Sequence, residues 1–175
     1  MSIKLSNLLE LIVRYSLILL AGLFNLSLFY FLFSSVTFYS SAFILRFFGE
    51  VTILSQARII LFNLSAIEIV NACIAGSAYY LLFILVLSTR KIDIKRRTFL
   101  LLSSFLMLLI ANIMRIVSLT LIVGKPYFTE AHMSIWYLLS TVFVVLIWFA
   151  NVKLFKIKNI PIYSDIRFLI KEVKA

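Results

Sequence analysis

Three side chains carry most of the chemistry this sequence offers, and each is scarce. Cys73 is the only cysteine and His132 the only histidine in 175 residues. Arg115 is the one charge inside the long apolar run from Thr98 to Val123. A thiolate forms near neutral pH in electropositive, partly exposed surroundings, which a guanidinium and an imidazole both supply. An imidazole beside a thiol also moves protons, first as general base and then as general acid. A guanidinium, always charged and rich in donors, stabilises either the thiolate or an oxyanion. Nucleophilic catalysis by cysteine is the chemistry of such a set. With one cysteine, an intramolecular disulfide and a thiolate metal cluster are excluded. Glu50, Glu68 and Glu130 stand in no metal-ligand spacing with His132, so neither metal nor cofactor is expected.

Taken singly, two of the three have ordinary explanations. A lone cysteine in an apolar helix is usually a small filler, and a histidine at a span boundary is usually an interfacial polar group. Arg115 differs, because a guanidinium inside a span costs at least ~2.5 kcal/mol on insertion scales and marks a functional position by default. Its plain alternative is snorkelling to the headgroups.

The elements that position them are transmembrane. Hydrophobic residues make up 63% of the chain and charged residues 14%, against about half and a quarter in soluble domains. Spans of roughly 20 apolar residues are expected at Tyr15–Phe33, Ala72–Leu87, Thr98–Val123 and Met133–Ala150, about four in all. The first exceeds the core of a signal peptide and reads as a retained anchor. The basic, amphipathic segment from Asn151 to Ala175 reads as a cytoplasmic tail along the inner surface.

Charge orients these spans. With the N-terminus inside, thirteen cations fall on inner segments: Lys4 and Arg14, the block from Arg90 to Arg97, and the tail. Only Arg46, Arg58 and Lys125 fall outside, as the positive-inside rule requires. Both termini are therefore expected in the cytoplasm. The surplus of ten positive charges is dispersed between apolar runs rather than gathered on one face, so nucleic acid is not an expected partner.

The stretch from Ser34 to Asn71 is too polar and interrupted for two further spans. Val36 to Phe48 has helical spacing and predicts a short amphipathic helix on the outer leaflet, stopped at Gly49. Val51–Leu54, Arg58–Phe62 and Ala66–Val70 are rich in β-branched residues and punctuated at Ser55-Gln56 and Asn63-Leu64-Ser65, predicting an extracytoplasmic hairpin or meander. A helical hairpin here, giving six spans, is the alternative. The overall class is a mainly α-helical membrane protein with a small β element before the cysteine.

Depth brings the three residues together. Cys73 and His132 open their spans at the outer end. Arg115 lies 17 residues after Thr98, a rise of roughly 26 Å that reaches the outer edge of a ~30 Å core. Asn112 shares its helix face.

At these positions the chain resembles the exosortase/archaeosortase family, membrane enzymes that process the C-terminal sorting signals of exported proteins. The family pattern sets a cysteine in an acidic-Ala-Cys-Ser-Gly-type motif, an Asn-x-x-Arg motif in a later helix, and a histidine or arginine at the outer start of another. Here these read Asn71-Ala72-Cys73-Ile74-Ala75-Gly76-Ser77, Asn112-Ile113-Met114-Arg115, and His132. The likeness covers residues 36 to 150. Asn71 replaces the acidic residue, the glycine arrives one position late at Gly76, and the chain is short beside larger relatives. The resemblance implies Cys73 as nucleophile, Arg115 as thiolate or oxyanion stabiliser, and His132 as general base and acid, with Asn112, Gly76 and Ser77 in support. It also implies substrates with a short motif, a transmembrane helix and a basic tail, cut at the outer face of the cell membrane. A Cys73 thioester would pass the product to an acceptor, either a lipid, an amine or water.

Two other classes fit the same residues. One is a small membrane scaffold or transporter subunit in which Arg115 pairs structurally with Glu68 or Glu130. The other is a lipid acyltransferase with Cys73 as acyl carrier.

Overall fold

The computed structural model describes residues 5–173; Lys4 and Lys174, counted above among the inner cations, lie outside them. The chain is mostly helical, with one three-stranded sheet. Its elements are α1 (Leu5–Gly22), α2 (Ser27–Leu45), β1 (Val51–Leu54), β2 (Ile59–Phe62), β3 (Ser65–Glu68), α3 (Asn71–Ile74), α4 (Gly76–Leu87), α5 (Ile94–Leu121), α6 (Phe128–Tyr137), α7 (Val144–Leu154) and α8 (Tyr163–Val173). A π-helical stretch, Leu138–Phe143, joins α6 to α7 in one continuous rod. Three helices are long and apolar enough to cross a membrane: Ser27–Leu45, Ile94–Leu121 and Phe128–Leu154. The helical segment Asn71–Leu87 is apolar but shorter.

The N-terminal third departs from the expected pattern. The apolar segment 15–33 is split, because Asn25 and Leu26 both adopt left-handed backbone at φ 53° and 60°. Asparagine visits that region more readily than other residues with a side chain, so the break falls beside the one residue that tolerates it. The second half of the segment then runs on to Leu45, absorbing the stretch expected as a separate surface helix over Val36–Phe48. Packing explains the continuity. Ser34, Thr37, Phe38, Ser41, Ala42 and Leu45 are buried along one face of α2, and their small members let α2 lie against α5 as small residues do between membrane helices. A leaflet-surface helix would have left this stripe facing lipid.

The stretch after α2 folds as a three-stranded meander over Val51–Glu68 rather than as a helical hairpin. β1 and β2 pair antiparallel with Val51 opposite Phe62, and β2 pairs with β3 with Ile60 opposite Ile67. Arg58 and Asn63 turn the chain through left-handed backbone at φ 52° and 51°. Ile60 and Phe62 point inward and, with Ile69 and Ile74, join Phe38, Leu45, Ile113, Ile116 and Val117 in one apolar cluster. The sheet is thereby fixed on α2 and α5. A second cluster, built on Phe29, Tyr79, Leu82, Leu100, Leu108 and Trp148, binds α2, α4, α5 and α7. Within it Phe33 and Tyr79 stack with centroids 3.8 Å apart, and Phe105 meets both edge-on, a geometry worth about 0.5–1.5 kcal/mol per pair beyond burial.

α5 begins four residues earlier than the apolar run, because Asp93 caps it and accepts a hydrogen bond from the Lys95 amide, satisfying one of the free amides of the first turn. At this end the tail is tied into the bundle. Arg14 on α1 is 4% exposed and Asp165 on α8 is 2% exposed; an Arg14 Nη2 donates to Asp165 Oδ1 at 2.8 Å. Arg14 Nη1 also donates to Leu87 O at 2.9 Å, and Tyr15 Oη to Asp165 Oδ2 at 3.3 Å. Removing one partner of a buried pair strands the other charge, at a cost of about 3–5 kcal/mol. Asp165→Ala is therefore expected to lower the detergent unfolding midpoint steeply, whereas the double replacement Arg14→Met with Asp165→Leu recovers most of it.

Candidate active site

Cys73 stands in a single helical turn between the last strand and α4. Its amide donates to Val70 O at 2.8 Å, closing the turn just past the end of β3. Its carbonyl accepts two side-chain donors from α5, Asn112 Nδ2 at 2.8 Å and Arg115 Nη2 at 3.0 Å. The spacing of Asn112 and Arg115 explains why both reach one oxygen, since residues three apart are neighbours on a helix face. Neither of these bonds uses the thiol, which stays partly exposed. Cys73 and Arg115 nonetheless line the same cavity.

The two donors are themselves buried. Asn112 is fully buried and Arg115 is 8% exposed, and Arg115 Nε and Asn112 Oδ1 have no hydrogen-bond partner among the described residues. A buried polar atom left unsatisfied costs about 1–3 kcal/mol, which is a large outlay for a purely architectural contact. The structural ion pair weighed for Arg115 does not form among the described residues: the ion pairs there are Arg14–Glu10, Arg14–Asp165 and Arg97–Glu10.

His132 sits on the first turns of α6, exposed, with its ring stacked on Phe128 at 5.8 Å and 28°. Cys73, Arg115 and His132 come from three elements, and all three line one cavity of about 340 Å³. The rest of its wall is Ala66 to Ile69 from β3 and its exit, Ile116, Leu119 and Thr120 from α5, Val123 just beyond it, and Phe128. The volume falls at the small end of ligand pockets. Its contents are a thiol, a guanidinium and an imidazole over an apolar floor, the set needed to form and resolve a thioester.

Not every expected residue gathers there. Asn71, Gly76 and Ser77 line a second cavity of about 220 Å³, together with Tyr30, Ala75 and Trp136. Arg115 is on the wall of both. Phe128 is not among the residues the sequence singled out, although its place one helical turn before His132 is a signal that would have found it. Tyr30 and Trp136 had none, because nothing in an apolar run signals which aromatic faces inward.

The turn after the cysteine shows how the late glycine is accommodated. Ala75 takes the left-handed conformation at φ 59° and ψ 39°, the position at which the acidic-Ala-Cys-Ser-Gly pattern carries its glycine. Gly76 then starts α4 against Tyr30, where an added Cβ would stand 2.6 Å from the ring.

No protein-family model, no curated protein and no solved structure matches the chain.

Opposite outcomes are expected at these neighbouring positions. Ala75→Gly removes a left-handed penalty of about 1–2 kcal/mol at some cost in chain entropy, so it leaves stability unchanged or raises it. Gly76→Ala drives a methyl into Tyr30 and lowers it. Thermal unfolding in detergent reads both.

Proposed function

We propose that this chain is a membrane cysteine peptidase or transpeptidase, of the kind the exosortase/archaeosortase resemblance implies. The observation that carries the reading is the single cavity to which α3, α5 and α6 each bring one reactive group. Support also comes from the left-handed backbone at Ala75, where the pattern has glycine, and from the order of the three motifs along the chain.

In this reading the Cys73 thiol gives its proton to His132. The thiolate attacks the carbonyl carbon of a peptide bond, forming the C–S bond, while Arg115 faces the developing oxyanion. The C–N bond then breaks, and the leaving amine takes the proton from His132. An acceptor bearing a hydroxyl or amine, or water, attacks the thioester carbonyl, loses its proton to His132 and releases the Cys73 thiolate. Asn112 is a positioning residue that holds the nucleophile's turn, and Gly76 and Ser77 shape the second cavity.

The proposed topology has four crossings, with the Asn71–Leu87 segment as a short one, both termini in the cytoplasm and the cavity at the outer face. The substrates are exported proteins whose C-terminal motif precedes a transmembrane helix and a basic tail.

Cys73→Ala is expected to abolish processing of a co-expressed sorting substrate while insertion and unfolding are unchanged. Arg115→Lys keeps charge but loses the planar donor fork, so processing drops severely. His132→Ala falls by about 10²–10⁴-fold, the usual share of a general acid–base. Immunoblots of precursor and product measure all three. Full processing by Cys73→Ala would end the nucleophile reading. Mass spectrometry of any trapped Cys73 adduct separates a peptidyl from a fatty-acyl intermediate.

A further inference from the structure

Resting on the peptidase reading, we infer that β3 binds the substrate by strand addition: an extended peptide pairs with its open edge and is thereby held against Cys73. The sheet order is β1-β2-β3, so β3 has a strand on one side only. Ile69 N–H donates to Arg58 O across to the β2 side at 2.9 Å. Antiparallel strands alternate residues that bond to the partner with residues that point away. Given the register of Ile60 opposite Ile67 and Ile59 opposite Glu68, Ile67 bonds inward while Ala66 and Glu68 turn their N–H and C=O groups outward. That edge is not turned to empty surroundings: Ala66, Glu68 and Ile69 line the same cavity as Cys73, Arg115 and His132.

Three features make a peptide the fitting occupant. The outward groups of Ala66 and Glu68 supply two donors and two acceptors at the spacing of a strand, which a peptide backbone complements and an acyl chain does not. The cavity holds a few side chains and no folded element. Its floor of Ile116, Leu119 and Val123 is apolar, so a paired segment buries alternate side chains there. The short turn from Val70 to Cys73 then sets the sulfur at the end of the paired segment. Arg115 is more than nine-tenths buried, with Nε unpartnered among the described residues, and lines the same cavity. Backbone pairing also tolerates many sequences, leaving selectivity to the buried alternate positions.

The test uses full-length protein in detergent and a degenerate library of octapeptides ending in a chloromethyl ketone. The Cys73 sulfur displaces chloride from this group to form a thioether, read by intact mass. Iodoacetamide, which has no backbone to pair, measures the reactivity of the thiol alone. Ala66→Pro and Glu68→Pro each delete an outward donor without touching the bonds to β2, a substitution edge strands accept. Expected is a drop of about tenfold in the peptide alkylation rate, the scale of one or two lost hydrogen bonds, with the iodoacetamide rate unchanged. Should either proline disturb the fold and shift the iodoacetamide rate, the wild-type protein decides. Peptides N-methylated at alternate positions then lose reactivity in an every-second-residue pattern. Wild-type rates for both proline variants, or for all N-methylated peptides, overturn strand addition and leave the peptidase reading standing. A change of oligomeric state in the proline variants without a change in peptide alkylation also overturns it, reassigning the edge to pairing between copies. No peptide faster than iodoacetamide on the wild-type protein instead brings down the peptidase reading itself.

Discussion

The Cys73 carbonyl is where the architecture converges. Two donors from α5, Asn112 and Arg115, end on that one oxygen, so the cysteine turn has no freedom to slide along the long helix. Both are buried, and each keeps one polar atom unsatisfied among the described residues, so the contact is held by its surroundings rather than by its own net energy. Those surroundings are the apolar cluster that joins the sheet, α2, α3 and α5. Loosening any of its members costs more than packing, since it also releases a guanidinium that has few alternatives in a low-dielectric setting.

This dependence explains why a sheet of four-residue strands belongs to a helical membrane protein at all. Isolated two-stranded hairpins are marginal in water, and open edges are not tolerated in lipid. Here Ile60 and Phe62 anchor the meander to two helices, and its third strand runs directly into the cysteine turn. The helices set the depth of the reactive groups. The sheet sets how the approach to them is shaped.

Much of this was legible in the residues, and the boundary of legibility is physical. Scarcity pointed to Cys73, Arg115 and His132, and helical rise placed them at one level before any contact was known. The β-branched runs between Val51 and Val70 announced strands because side-chain shape at that spacing suits little else. The division of the N-terminal third was not readable, because Tyr15–Phe33 is predominantly apolar and Val36–Phe48 keeps helical spacing, and neither feature says where such a run bends. The break needed two left-handed residues, Asn25 and Leu26, and leucine gives no hint of that. Likewise Gly76 and Ser77 sit beside the cysteine in sequence yet face another cavity, because the left-handed Ala75 redirects the chain between them. The basic, amphipathic tail read as a surface segment, while the buried carboxylate of Asp165 was invisible without Arg14 opposite it.

The π-helical stretch Leu138–Phe143 bears on how this arrangement can change over time. A π-turn holds one residue more than an α-turn, and each residue in a helix corresponds to about 100° of rotation. The rod from Phe128 to Leu154 is therefore two helices set out of phase: one half directs Val144, Ile147 and Trp148 into the bundle, the other brings His132 to the cavity. A single-codon deletion within the stretch would restore an even helix and swing His132 aside, leaving the buried half untouched. Loss and recovery of the histidine's alignment are thus separated by one indel rather than by many substitutions, a short mutational path between an aligned and a misaligned form.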